Sequence, residues 1–259
     1  LYMTKAITYP EELRKDINHP VKLNFFPAIS ISLILFSIGF LGIDLRVSEI
    51  LWIAGIAIHL LITIWIMSGW LNKNYGIDAI NPAWFIPAVG NILAPVAGAQ
   101  LGYIEISWFF FSIGLIFWIM LFTIFSYRII FHNPLPDRLK PTMFIFIAPP
   151  AVGFISYVNL TGTVDGFSKI LYYFSLFLVL MLFSQAGRFV KIRFYISWWA
   201  YTFPIAAVSL ASTLMYKKTS ISAYRYFAYF FIGFLSLLIL VISCHTIRAL
   251  LKREICVDE

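Results

Sequence analysis

Charge is what this sequence has least of. Asp, Glu, Lys and Arg make up 12% of its 259 residues, about half the ~25% of an ordinary soluble domain. So little charge cannot solvate the surface of a globule of this size, which excludes a soluble protein. Cysteine is scarce too. Two cysteines exclude a disulfide scaffold, and 14 Gly with 12 Pro exclude a collagen or low-complexity chain. The net charge is +7, yet the basic residues are scattered over short connections and form no stripe, so no nucleic-acid partner is expected. Buried-looking carboxylates are missing from the apolar runs, which argues against a proton relay. There is no H-x-x-x-H pair, cysteine cluster or acidic pair for a metal. Nor is there a Ser/His/Asp constellation or a phosphate-cradling glycine loop. The chain does not read as an enzyme, and no cofactor or metal is expected.

What is present is apolar. The chain is 61% hydrophobic and 19% aromatic, with a mean hydropathy of +0.87. Eight long apolar runs cover residues 24–41, 50–70, 82–102, 106–130, 141–158, 167–187, 194–216 and 226–247. Each is near the ~20 residues a helix needs to cross a bilayer. Runs such as "SLILFSIGFLGI" and "FSLFLVLMLF" are apolar on every face, unlike the alternating ~10-residue strands of a membrane barrel. Lipid leaves helices as the way to satisfy such a backbone. The expected fold is an all-α integral membrane protein of eight transmembrane helices in four helical hairpins. Fourteen of the 19 Lys and Arg fall at the end carrying residue 1, and five at the other. That asymmetry places residues 1–22 as a cytoplasmic lead-in and 248–259 as a cytoplasmic tail in the cell membrane. The opening Leu1-Tyr2 in place of Met leads us to expect that the natural N-terminus lies upstream.

Proline is the most informative residue. Runs one, three, five and seven carry Pro27, then Pro87 and Pro95, then Pro149 and Pro150, then Pro204; the interiors of the other four carry none. Pro27, Pro87, Pro149 and Pro204 are spaced by 60, 62 and 55 residues, the period of one helical hairpin. Four copies of a unit are implied, a proline-broken helix followed by an intact one. Proline removes an amide donor and kinks a helix, and carbonyls freed in a bilayer need water or protein partners. Broken helices therefore belong around a cavity, and straight ones outside against lipid. Small residues for close approach fall on run three, in "PAVGNILAPVAGAQLG" with Gly98-x-x-x-Gly102, and on run five, in "IAPPAVGF". His59, on an intact helix, reads as a neutral imidazole bonded to a neighbouring carbonyl. Asn91, on a broken one, is open to substrate contact or to an interhelical hydrogen bond. A pore of this kind without buried carboxylates suits anions better than cations.

Three stretches, "NPAWFIPAVGNILAPVAGAQLGY", "RLKPTMFIFIAPPAVGFISY" and "WWAYTFPIAAVSLAS", resemble the tellurite-resistance/dicarboxylate transporter family, which includes bacterial TehA and the plant guard-cell slow anion channels. "DINHPVKLNFFPAISIS" resembles the lead-in to that family's third helix. The resemblance covers nearly the whole chain. It implies ten helices in five hairpins around a central pore, the first hairpin being absent here, and a homotrimer with one pore in each protomer. It also implies a plug: the family's pore-closing phenylalanine matches Phe203, directly before Pro204. Pro27, Pro87, Pro149 and Pro204 then mark the breaks that line the pore. Phe26, Val89 and Phe146, with Asn91, are the candidate lining residues by position. The function expected is passive, gated passage of small anions of the chloride or nitrate kind in a lipid bilayer. The alternatives are a carrier or exporter of C4-dicarboxylates such as malate, of sulfite or of tellurite, and a membrane scaffold that conducts nothing.

Overall fold

A computed structural model describes residues 8–19 and 21–254. Secondary structure among them is helical, with no strand. After a short amphipathic helix α1 (Pro10–Asn18) come α2 (Ala28–Phe40), α3 (Leu45–Asn72), α4 (Phe85–Gly98), α5 (Ile104–Phe131), α6 (Ala148–Thr161), α7 (Gly166–Phe183), α8 (Thr202–Thr219) and α9 (Ser222–Leu251). The chain divides into two compact units that meet in sequence at Pro134 and Leu135. The tail expected from residue 248 begins instead after Leu251, where α9 ends, and residues 255–259 lie outside the described residues.

Helix ends follow local chemistry. The Asp44 carboxylate accepts from the amides of Arg46 (2.8 Å) and Val47 (3.1 Å) and starts α3. Asp165 and Ser168 form a reciprocal capping box at the start of α7, with N–H to oxygen distances of 2.9 Å and 2.8 Å. Gly162 ends α6 at φ +76°, a left-handed conformation that a side chain would strain. The Ser168 amide and the Tyr157 hydroxyl both donate to Asp165 and hold its carboxyl below the ordinary carboxylate range. A depressed pKa means the cap stabilises fully at neutral pH and is lost as pH falls through the folded-state value. The difference in thermal midpoint between wild type and Asp165→Asn is therefore expected to shrink as a melting series is carried from neutral to strongly acidic pH.

Among the described residues, six of the eight runs read from hydropathy form segments long and apolar enough by themselves to cross a bilayer. The two that fall short are α4 and α8. Helix α4 has 14 residues, a rise of about 21 Å against a hydrocarbon core of ~30 Å. Helix α8 carries Thr202, Ser209, Ser212, Thr213, Lys217, Lys218 and Thr219 within its 18 residues. Both have protein rather than lipid as their main surroundings. In α4 every residue but Ile86 is buried, so neither its length nor its polarity has to satisfy a bilayer.

The broken helices take a definite form. Stretches of 3₁₀-helix at Lys22–Phe25, Pro82–Trp84, Asp137–Ile147 and Ile196–Tyr201 precede α2, α4, α6 and α8. Pro27, Pro87, Pro149 and Pro204 each stand at the change of helix type or within the first turn of the α-helix. An α-helix leaves its first four amides without internal partners, so a proline costs nothing there. The expected kink is thus a switch from the tighter helix to the wider one, repeated four times. Pro95, inside α4, is the interior exception.

In the first unit, α2 and α3 pair antiparallel, with Ser37 and Ser48 hydroxyls 3.1 Å apart. Helix α4 lies antiparallel to both α3 and α5. The Trp52 indole donates to the Ala94 carbonyl at 2.8 Å, and the Phe85 and Phe125 rings meet edge to face at 6.3 Å. Close approach is made by missing side chains. A Cβ on Gly90 would fall 2.1 Å from the His59 ring, and one on Gly114 would fall 2.6 Å from the Ile92 amide nitrogen. In the second unit, α6 and α7 pair through Phe154 and Tyr172, 5.3 Å between ring centroids. Helix α8 is tied to α7 by the Tyr172 and Ser212 hydroxyls at 3.0 Å, and to α9 by Ser209 donating to the Ala228 carbonyl at 3.2 Å.

Burial separates the helix types in part. An 18-residue apolar stretch within Asp137–Thr161 is 72% buried and one within Ser222–Leu251 only 17%, as expected of an inner and an outer helix. Helix α2 departs from the pattern: Ile29, Leu35 and Phe36 on it are exposed, so a proline at its start does not enclose it among the described residues.

Candidate pore-lining site

The two proline junctions of the first unit converge on one histidine. Ser30 Oγ lies 2.8 Å from the Pro27 carbonyl and 2.9 Å from His59 Nδ1. On the other edge of the ring, His59 Nε2 is 3.0 Å from the Pro87 carbonyl. A carbonyl only accepts, so Nε2 carries the hydrogen and Nδ1 of the neutral ring is an acceptor, which shares the single Ser30 hydroxyl hydrogen with the Pro27 carbonyl. The Asn91 amide donates to the same Pro87 carbonyl at 2.7 Å and to Thr63 Oγ1 at 3.3 Å. His59, Asn91 and Ser30 are fully buried. The imidazole is therefore a strut from α3 to the starts of α2 and α4. Gly90 makes the room for it. His59→Leu removes both bonds, although Asn91 still donates to the Pro87 carbonyl and Ser30 to the Pro27 carbonyl. The expected loss is about 1–3 kcal/mol, read as a lower thermal midpoint in detergent, with partial recovery in His59→Gln.

The other named residues divide between the units. Phe26 is half-buried, and its ring meets Trp65 of α3 edge to face at 6.3 Å. Val89 is buried on α4. Asn91 makes the interhelical bonds given above. In the second unit, Phe146 is buried in the 3₁₀ stretch before α6, which packs against both Ile196–Tyr201 and α8. Phe203 is the second residue of α8 and is half-buried, between buried Tyr201 and buried Pro204. Phe144, in the 3₁₀ stretch before α6, is fixed by Tyr201 at 4.7 Å and Phe189 at 5.3 Å. Phe203 makes no ring contact of this kind among the described residues.

Charge inside the protein is sparse. Asp16 and Arg128 are the charged side chains that are buried among the described residues. Asp16 is paired with Lys22 at 3.0 Å.

Residues 1–247 match the family described as SLAC1, voltage-dependent anion channel. The chain belongs to this family. Its relatives include the S-type anion channel SLAH2 of Arabidopsis thaliana, 32% identical over 214 residues, covering 82% of this chain and 41% of that protein. The uncharacterized transporter MJ0762 of Methanocaldococcus jannaschii is 28% identical, over 84% of this chain and 71% of its own length. The tellurite resistance protein TehA homolog of Haemophilus influenzae is 28% identical, over 89% and 71%. The chain thus spans about two fifths of the plant SLAH2 protein. The SLAC1 family consists of anion channels and transporters, which agrees with the non-enzymatic reading.

Two features of this SLAC1-family chain escaped the sequence reading. Arg128 counted there as one more basic residue at the cytoplasmic side, yet it is 3% exposed. The signal was available: Ser107, Phe111, Gly114, Trp118, Leu121, Phe125 and Arg128 recur at helical spacing, and all are buried. His59 was read as an imidazole bonded to a carbonyl, as its contact with Pro87 has it, but which helices it joins had no such signal, because its partners lie 28 and 29 residues away in sequence.

Proposed function

We propose that this chain forms most of a pore through which small anions of the chloride or nitrate kind pass down their gradients, with Phe203 as the plug. Membership of the SLAC1 family carries the anion reading. The plug rests on the placement of Phe203, a half-buried ring one residue before Pro204 at the fourth switch of helix type. A large apolar ring at such a point closes a narrow passage by sterics and dewetting. Helices α4 and α8 would cross the membrane enclosed by protein, completing eight crossings with both visible ends cytoplasmic. The buried carboxylate among the described residues is already paired, which leaves no free acidic group in the interior for cation coupling. The protein would assemble as a homotrimer, each protomer with its own pore.

The test is ionic current from the full-length gene product in a planar bilayer, under a chloride and then a nitrate gradient. Reversal near the anion equilibrium potential supports the channel. A second reading, a carrier of oxyanions such as tellurite or sulfite or of C4-dicarboxylates, draws on the tellurite resistance named for the Haemophilus influenzae relative. Silence in the bilayer with uptake of labelled malate or sulfite into vesicles would replace the channel by that carrier.

A further inference from the structure

Among the described residues, Arg128 is a buried cation without a counter-ion. It is 3% exposed, and neither Nε nor Nη1 has an acceptor. A guanidinium does not shed its proton, so it cannot escape the cost of burial by becoming neutral, as a lysine or histidine can. It therefore requires an acceptor. Its position in the last turn of α5 suits the helix dipole, but the dipole supplies no partner for Nε or Nη1.

The surroundings are rich in donors. The buried face of α5 that ends in Arg128 packs along α4, through Gly114 against Ile92 and Phe125 against Phe85. The chain just before Phe85 is the 3₁₀ turn Pro82–Trp84. Trp84 is 5% exposed, stacked on Trp70 at 4.9 Å, and its indole N–H also has no acceptor. The Asn81 carbonyl oxygen is committed to the Ala83 amide at 3.0 Å. Asp78 in the preceding turn is exposed and makes no ion pair with Arg128. Glu105 stands at the opposite end of α5. The α4–α5 hairpin thus holds a full positive charge near the end of α5 and an indole donor just before α4, both buried and both without an acceptor among the described residues.

We propose that this end of the hairpin is a binding site for a small inorganic anion, a halide or nitrate, held by Arg128 with Trp84 Nε1 as a second donor. The proposal rests on the anion-transport reading and adds to it a resident site at the end expected to face the cytoplasm. A free anion fits better than a phospholipid headgroup, because a side chain 3% exposed offers no opening for a phosphodiester that carries two acyl chains.

The experiment uses the full-length protein in two arms. Crystals grown in bromide are expected to show an anomalous peak in contact with the Arg128 guanidinium. Nitrate titrated against gluconate at constant ionic strength is expected to raise the thermal midpoint of wild type and of Phe203→Ala saturably, with half-saturation about tenfold weaker in Arg128→Gln and an intermediate value in Arg128→Lys. No peak, together with equal nitrate response in Arg128→Gln, overturns the proposal. So does density at Arg128 that continues into acyl chains, or a carboxylate of the protein seated there. The wild-type map decides the matter even if Arg128→Gln fails to fold. Normal anion current with no bromide at Arg128 would end the site and leave the transport reading standing. Bromide at Arg128 with no anion flux in wild type or Phe203→Ala would do the reverse.

Discussion

Phe203→Ala is expected to raise anion current several-fold over wild type at equal surface expression, with the reversal potential unchanged. Phe203 is half-buried at the start of α8, next to buried Tyr201 and Pro204. Truncation removes a ring that excludes water without disturbing the proline that sets the switch of helix type. Lowering the barrier by ~1.4 kcal/mol is enough for a tenfold rise. Phe203→Leu keeps an apolar plug of smaller size and should fall between the two. Single-channel recording separates a larger unit current from a larger open probability. An unchanged current in well-expressed Phe203→Ala would make Phe203 a packing residue and remove the plug from the proposed mechanism.

The second large effect is on folding. Gly114→Ala is expected to destabilise the first unit by about 1–3 kcal/mol, seen as a lower melting midpoint in detergent and less protein in the membrane. The added Cβ would lie 2.6 Å from the Ile92 amide nitrogen and 2.8 Å from the Ala88 carbonyl oxygen. These are backbone atoms of α4 and cannot rotate aside, so the two helices must separate. Close packing, not the hydrophobic effect, holds helices together in lipid, and a separation here weakens contacts along the whole α4–α5 hairpin. Gly233→Ala on α9 is the control. Nothing lies within 4 Å of its added Cβ, so helix propensity alone acts and favours alanine by up to ~1 kcal/mol. A neutral Gly114→Ala would mean that α4 and α5 pack less closely in the membrane than in this structure.

Much of this was legible in the chain. The apolar runs located the helices because hydropathy is a local property and the bilayer imposes it on every exposed turn. The four proline positions marked real breaks, although the break is a change from 3₁₀- to α-helix rather than a bend within one α-helix. The same local logic overcounted the spans that could stand alone in lipid. Helices α4 and α8 are shielded by their neighbours, and a shielded helix answers to packing, not to hydrophobic thickness. It also ranked α2 as enclosed on the strength of Pro27, whereas Leu35 and Phe36 stay exposed.

Sequence alone determined the class of protein, the family and the periodic unit of a broken helix followed by an intact one. The class follows from composition, the unit from the spacing of four prolines, and the family from the resemblance of whole stretches of the chain. Tertiary structure decided what the few polar groups do. His59 became a strut because α2 brings a hydroxyl and α4 a carbonyl to opposite edges of one ring. Arg128 became an uncompensated charge because its face of α5 turns toward α4, where Trp84 offers another donor and no acceptor. The energy of a buried polar group depends on atoms that reach it from distant parts of the chain, and only the folded arrangement brings those atoms within hydrogen-bonding distance or leaves the group without them.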